Sequence, residues 1–167
     1  TRGDLRQQSI IIETEVDGQG VRIVSDNELG NRRGWYVDLD TVMHERSVVR
    51  PLLRGDLILF VTLIPSSDPC STGGTSWLMV LDVENGGRVD GGAIDLDGDG
   101  IIDLQDYVQG LPISGMREDN IMTRLTPQTG FGGTDTIIGS DSSGGMPQYN
   151  IRGIDDDLGR QSWRQVR

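Results

Sequence analysis

The stretch "LLRGDLILFVTLI" occupies residues 52–64 and contains two apolar runs separated by Arg54-Gly55-Asp56. Leu, Ile, Val and Phe fit a pleated, buried surface, and a short polar break with Gly provides a tight turn. The sequence therefore predicts a β-hairpin here. Its longer run, Leu57–Ile64, has the length of a buried strand, whereas a membrane-spanning helix needs roughly 20 apolar residues.

Similar segments recur along the chain and predict an all-β protein. No window keeps a helical apolar period beyond about three turns. One short helical turn is expected at "LQDYVQG" (104–110), and a chain turn at Asn85-Gly86-Gly87. The 167 residues are enough for a single domain, 1–167, with a sizeable core. Further strands are predicted at "SIIIETEV" (9–16), "VRIVS" (21–25), "GWYVDL" (34–39), "RSVVRPLL" (46–53), "SWLMVLDV" (76–83), "DTIIGS" (135–140), "QYNIRGI" (148–154) and "SWRQVR" (162–167).

Composition excludes several classes of function. The net charge of −11 argues against nucleic acid or an anionic membrane as a partner. All fifteen cationic residues are Arg, so no lysine can serve as a phosphate ligand, Schiff base or general base. The chain starts at Thr1 without an initiator Met or a signal peptide, which predicts a processed piece of a longer protein.

The stretch "DLDGDGIIDLQD" (95–106) places five aspartates within twelve residues. Like charges this close repel each other, and an EF-hand-type loop resolves the repulsion with a calcium ion. Such a loop takes side-chain oxygens from positions 1, 3, 5, 9 and 12, a backbone carbonyl from position 7, and Gly at position 6. Gly100 falls on position 6. The predicted calcium ligands are Asp95, Asp97, Asp99, Ile101 (through its carbonyl), Asp103 and Asp106.

Two features separate this loop from a calmodulin-type sensor. Position 12 is Asp106, whose arm is shorter than that of the usual bidentate Glu, so weaker binding or a completing water is expected. The loop also lacks long flanking helices, which favours a stabilising or gating role. Ile102 at position 8 is expected to point toward the core. The alternative is that the Asp-Gly repeats form ordinary turns in an acidic surface loop.

Other candidate sites are weaker. Two Arg-Gly-Asp tripeptides, at 2–4 and 54–56, could bind a receptor, but the second coincides with the predicted hairpin turn. His44 is the only histidine, and no G-x-S-x-G or H-E-x-x-H motif accompanies it, so no enzyme is predicted. Cys70 is expected to be a small, buried or partly buried thiol. The acidic triplet 155–157 is a solvated turn or a second cation site, and Trp35, Trp77 and Trp163 are expected to pack between strands.

The segments "GWYVDLD" (34–40) and "ERSVVRPLLRGDLILFVTLIPSSDPCSTGGTSWLMVLDVENGGRVDGGAIDLDGDGIID" (45–103) resemble the C-terminal β-propeller of the PilY1 family, tip-associated proteins of bacterial type IV pili. The resemblance spans about Gly34 to Gly115, and "GRQSWRQVR" (159–167) resembles the closing segment of that family. The stretch "TLIPSSDPCSTGGTSWLM" (62–79) is its most specific part.

The resemblance implies a partial β-propeller or a closed antiparallel β-domain that carries one calcium loop. It implies Ca²⁺ on Asp95, Asp97, Asp99, Ile101 and Asp103, with calcium occupancy regulating pilus extension and retraction. It also implies surface adhesion, pilus components or surface targets as partners, and a location outside the cell or at the bacterial surface.

A propeller blade needs roughly 40–45 residues and a closed ring at least four blades, so this chain would supply about three. Unpaired strand edges would then be available to another chain. The alternative function is therefore a self-assembling subunit of an extracellular filament, stabilised by calcium. Its exchanged strands would come from "QQSIIIETEV" (7–16) and "QSWRQVR" (161–167).

Overall fold

The computed structural model describes residues 1–67, 73–130 and 133–154. Within these ranges the chain forms thirteen strands and two short 3₁₀ turns, at Arg2–Asp4 and Leu104–Asp106. The all-β prediction is confirmed. In chain order the strands are β1 (Arg6–Gln8), β2 (Ile10–Val16), β3 (Gln19–Val24), β4 (Trp35–Val37), β5 (Leu52–Arg54), β6 (Leu57–Pro65), β7 (Gly74–Asp82), β8 (Tyr107–Val108), β9 (Leu111–Pro112), β10 (Gly115–Glu118), β11 (Met122–Gln128), β12 (Thr134–Asp141) and β13 (Gln148–Arg152).

The largest sheet has six strands in the order β2-β3-β10-β7-β6-β5. Its longest pairing is that of the antiparallel strands β6 and β7, which stay in register from Leu57 opposite Asp82 to Pro65 opposite Gly74. The predicted hairpin forms, because β5 pairs with β6 across the turn at residues 55–56. The turn at Asn85-Gly86-Gly87 also forms; Gly86 has a φ of 73° and lies under the Trp35 ring, where a side chain would collide.

Strand β7 is buried on both faces of this sheet. Leu78 and Val80 point into the main core cluster, whereas Trp77, Met79 and Leu81 point into a second cluster on the opposite face. This arrangement explains why "SWLMVLDV" is almost continuously apolar, since a strand covered on both sides has no solvent-facing positions.

A three-stranded sheet, β11-β12-β13, covers the main cluster. Met122, Ile137, Tyr149 and Ile151 of this sheet belong to the same cluster as the inward residues of β3, β6 and β7. The opposite face is covered partly by β4, which pairs in parallel with β1 and contributes Trp35 and Val37 to the second cluster. Among the described residues no sheet closes on itself, so the closed β-domain that was one of the two expected forms is not found there, whereas the partial propeller stays a prediction.

Several predicted elements differ from the structure. The strand predicted at 46–53 reduces to β5 and one bridge between Arg46 and Leu63, because Pro51 has no N–H to donate. The helical turn predicted at 104–110 is a single 3₁₀ turn followed directly by β8. Strands β10 and β11 were not predicted, because their apolar residues are few. The strand predicted at 162–167 lies outside the described residues.

A buried cation ties the irregular segment 38–51 to the six-stranded sheet. The Arg22 side chain on β3 is 0% exposed and donates to both carboxylate oxygens of Glu45, at 2.6 and 2.9 Å. It also donates to Glu13 at 2.8 Å and lies 3.9 Å from the centre of the Trp77 ring. Thr62 donates a further hydrogen bond of 2.6 Å to Glu45. Glu45 is therefore the carboxylate that compensates the buried Arg22 charge inside the protein, because the Glu13 side chain is partly exposed.

Replacing Glu45 should destabilise the protein strongly. Removal of one partner of a buried ion pair leaves the other charge uncompensated, and Glu45→Ala should lower the free energy of unfolding by about 3–5 kcal/mol. The control is Glu15→Ala, which removes an exposed carboxylate from β2. This substitution should change the free energy of unfolding by less than about 0.5 kcal/mol. Urea unfolding gives both values. Equal effects of the two substitutions would show that Glu45 does not anchor the segment.

Candidate metal centre

The acidic loop 95–106 is held at its start by the three-stranded sheet. Ile94 forms a β-bridge with Ile151 of β13, and the N–H of Asp95 donates to the carbonyl of Asn150 at 3.0 Å. Ile94 and Ile151 are both buried in the main core cluster. The first residue of the loop is therefore fixed by the core rather than by the loop itself.

Three carboxylates converge in this loop. Asp95, Asp97 and Asp99 each offer one oxygen such that all three atoms lie within 4.8 Å of one another. Asp95 is buried, whereas Asp97 and Asp99 are exposed. The cluster is therefore anchored on one side and open to solvent on the other.

Asp95 is the most constrained member of the cluster. Its Oδ1 accepts a hydrogen bond from the N–H of Gly98 at 2.7 Å, and its Oδ2 accepts one from the N–H of Gly100 at 2.9 Å. The side-chain amide of Asn150 donates to the same Oδ2 at 2.9 Å. Asn150 was not predicted, because it lies 55 positions away in the sequence and no local motif marks it.

The loop's two internal glycines allow this wrapping. Gly98 and Gly100 have φ values of 78° and 87°, a region that residues with a side chain rarely adopt. Asp97 and Asp99 then cap short turns, because Asp97 accepts from the N–H of Asp99 at 3.1 Å and Asp99 from the N–H of Ile101 at 2.7 Å. The turn chemistry and the converging carboxylates thus coexist in one loop.

The cluster places negative charges close together, and this proximity affects the pKa of the Asp97 carboxyl group. The hydrogen bond from the backbone N–H of Asp99 lowers the pKa of Asp97. Desolvation and the negative charges of Asp99, Asp106 and Asp95 act in the opposite direction, and the net pKa of Asp97 is raised above its ordinary value. A bound cation would remove this repulsion.

Asp106 and Asp103 stand apart from the three-carboxylate cluster. Asp106 is 2% exposed and accepts hydrogen bonds from the backbone N–H groups of Leu96 at 2.6 Å and Asp103 at 2.8 Å. Asp103 caps the 3₁₀ turn by accepting from the N–H of Gln105 at 2.7 Å. In this geometry Asp106 connects the two ends of the loop, and the use of Asp103 and Asp106 as calcium ligands stays a prediction.

The isoleucines of the loop have different environments. The side chain of Ile101 is 60% exposed, and the use of its carbonyl as a ligand stays a prediction. Ile102 is half-buried and lies near Gly92, but it is not among the residues that pack against the core cluster, where the loop contributes Leu96 instead; the expected contact of Ile102 with the core is therefore not found.

The donor chemistry fits a hard divalent cation. Carboxylate oxygens are the ligands that Ca²⁺ and Mg²⁺ prefer, and a glycine-rich loop can adjust its oxygens to the longer and more variable distances around Ca²⁺. Among the described residues this is the one group of acidic, His or Cys side chains whose ligand atoms meet this way.

The two Arg-Gly-Asp tripeptides have their charges engaged within the chain. Arg54 pairs with Asp135 at 2.5 Å, and Asp56 pairs with Arg152 at 2.5 Å. Arg2 pairs with Asp38, and Asp4 with the N-terminal amine. The pairs of the second tripeptide join it to β12 and β13 and give it a structural role, whereas those of the first lie at the surface.

The remaining sequence candidates do not form a second site among the described residues. His44 is exposed and has a φ of 70°. Trp35 and Trp77 pack in the second cluster, as expected. Cys70, Trp163 and the acidic triplet 155–157 lie outside the described residues. In the described part of the chain, no helix has the length and apolarity to cross a membrane.

Comparison with known proteins gives consistent results. No protein-family model matches the chain. The type IV pilus biogenesis factors PilY1 of Pseudomonas aeruginosa strains PAO1 and PAK are 27% identical over 189 residues, which cover 99% of this chain and 15% of each relative. A PilY1 homolog from Xylella fastidiosa strain Temecula1 is 31% identical over 174 residues, covering 99% of this chain and 14% of that protein.

A solved structure has the same fold. The crystal structure of the Pseudomonas aeruginosa PilY1 C-terminal domain superposes with a TM-score of 0.77 and 22% identity, over 91% of this chain and 32% of that one. The sequence similarity along almost the whole chain and the shared fold confirm the predicted resemblance: the chain is similar to a part of the PilY1 proteins and has the fold of about a third of the PilY1 C-terminal domain.

Proposed function

We propose that this chain is a calcium-binding domain that acts in type IV pilus function and surface adhesion, outside the cell or at the bacterial surface. Its role is binding and regulation rather than catalysis, and pilus components or surface targets are its partners. The observation that carries the calcium assignment is the convergence of Asp95, Asp97 and Asp99 within 4.8 Å.

The chemistry of the loop supports calcium over a purely structural acidic turn. Asp95, Asp97 and Asp99 would hold the ion, and the Ile101 carbonyl, Asp103 and water would complete a shell of six to eight oxygens. An ordinary turn needs one Asp-Gly pair, whereas here three carboxylates face one another at an energetic cost. The ion supplies the positive charge that compensates them.

The pilus assignment rests on the relatives. The PilY1 proteins are named as type IV pilus biogenesis factors, and the chain spans about one seventh of their length. In this proposal the chain is a part of the C-terminal propeller region, and calcium occupancy sets its stability and thereby its contribution to pilus extension, retraction and adhesion.

The open sheet edges favour one alternative, a self-assembling filament subunit. Strands β2 and β5 end the six-stranded sheet, and β11 ends the three-stranded sheet; among the described residues each lacks a neighbour on one side. The proposed donor segment 7–16 already pairs with β3 through β2, so β2 could add to another chain only by its outer edge.

Calcium should stabilise the folded protein through the loop. At a hundredfold excess over Kd, binding to the native state alone adds about 2.7 kcal/mol to the free energy of unfolding. The double variant Asp97→Asn/Asp99→Asn keeps the turn-forming oxygens and removes two charges, so it should lose this response. Thermal unfolding with calcium and with a chelator measures the effect.

The control for this variant is Asp90→Asn, which removes an exposed carboxylate just before the loop and should keep the full response. A calcium response that survives in Asp97→Asn/Asp99→Asn would place the ion elsewhere and refute the proposed site. Loss of the response in both variants would point to a general charge effect.

Asp106 should stabilise the loop by hydrogen bonds, with or without calcium. Because Asp106→Ala removes the acceptor of three backbone N–H groups in a buried position, it should cost about 1–3 kcal/mol even in chelator. Asp97→Asn should leave stability in chelator unchanged or slightly raised. Urea unfolding in chelator separates the two roles. Full stability of Asp106→Ala in chelator, together with lost calcium affinity, would make Asp106 a ligand instead.

The filament alternative predicts a different outcome in solution. Sedimentation velocity across a concentration series should show a monomer with calcium and with chelator if the chain acts as a binding domain. Oligomers that grow with concentration, and grow further with calcium, would favour the self-assembling subunit.

A further inference from the structure

An apolar groove opens between the six-stranded and the three-stranded sheet, away from the acidic loop. Its volume is about 640 Å³, and its walls come from residues 48–52 with Leu63 on one side and residues 121–125 on the other. This size lies within the range of about 300–1,000 Å³ that is usual for ligand-binding pockets. The proposed calcium function does not use this region.

The floor of the groove is an extension of the core. Met122 is 0% exposed and belongs to the main cluster, and Leu52 and Leu125 pack against that cluster. At the rim, Val48 is 66% exposed. Apolar surface that runs from the core out to the solvent is typical of a docking site.

Two strand edges border this floor. Strand β5 ends the six-stranded sheet and β11 ends the three-stranded sheet, so each has one side without a partner strand among the described residues. An extended segment can pair with such an edge and place alternate side chains in the groove. Pro51 and Pro127 lack an N–H, and they restrict pairing to short stretches.

The charge of the groove specifies the ligand. Arg50 and Arg124 line it, both are exposed, and in the described part of the chain neither side chain has an ion pair or hydrogen bond. Among the described residues no acidic side chain lines it, although the whole chain has a net charge of −11. Two unpaired cations beside an apolar floor are complementary to carboxylates on an apolar chain.

We propose that this groove binds an extended segment of another protein in which apolar and acidic residues alternate. In an extended chain successive side chains point to opposite sides. One set would therefore lie on the floor formed by Leu52, Met122 and Leu125, while the acidic set would reach Arg50 and Arg124 at the rim.

The test uses the full chain and two fluorophore-labelled, capped peptides of seven residues. In one peptide Val and Glu alternate, and in the other Val and Lys alternate. Fluorescence anisotropy should show saturable binding of the Val-Glu peptide with an affinity about tenfold or more above that of the Val-Lys peptide. Raising the salt from about 0.05 M to about 0.5 M should weaken the binding.

Charge reversal at the rim should remove the preference. The variant Arg50→Glu/Arg124→Glu changes exposed side chains and should bind the Val-Glu peptide about tenfold or more weakly. Arg33→Glu, an exposed arginine at another surface depression, is the matched control and should bind like the wild type. Circular dichroism confirms that each variant is folded, and chelator should not alter the result.

Three outcomes would overturn the proposal. The first is no saturable binding of the Val-Glu peptide, and the second is equal binding by wild type and Arg50→Glu/Arg124→Glu. The third is self-association of the wild type that this variant abolishes, without peptide binding. That result would assign the groove to a second copy of the chain. The calcium assignment would stand in each case, because its ligands lie elsewhere.

Discussion

The pairing of β6 with β7 is the constraint on which the rest of the structure depends. Nine residue pairs join the two strands, and both faces of β7 are covered by apolar side chains. Burial of a large apolar side chain contributes about 1.5–3 kcal/mol, so this strand pair carries much of the stability. The flanking strands β5 and β10 add to its two sides.

The acidic loop depends on the same core although it lies at the surface. The bridge between Ile94 and Ile151 connects the first residue of the loop to β13, whose inward residues pack against the central sheet. Asp95 is thereby fixed, and its two oxygens organise the backbone of Gly98 and Gly100. Asp97 and Asp99 are then placed beside a carboxylate that cannot move away. The core thus supplies the rigidity, and the loop stores the electrostatic repulsion that a cation would relieve.

The sequence predicts those features that depend on nearby residues. The strands around Leu57–Ile64 and 76–83 follow from continuous apolar runs, and the acidic loop follows from the spacing of its aspartates and Gly100. Features that depend on distant partners are not predictable in this way. Arg22 looks like a solvent-facing residue until Glu45 is brought to it, and Asn150 has no local signal. Strand β10 exists because β3 and β7 flank it, not because its own residues favour a strand.

The most direct measurement of the central claim is a calcium titration followed by the backbone amide signals of the loop in NMR. Binding by Asp95, Asp97 and Asp99 should shift the amide signals of Gly98 and Gly100 in a saturable manner, because both N–H groups donate to Asp95. Gly110, which lies outside the loop, should respond little. Unchanged signals for Gly98 and Gly100 at saturating calcium, or equal shifts throughout the protein, would contradict a calcium site in this loop.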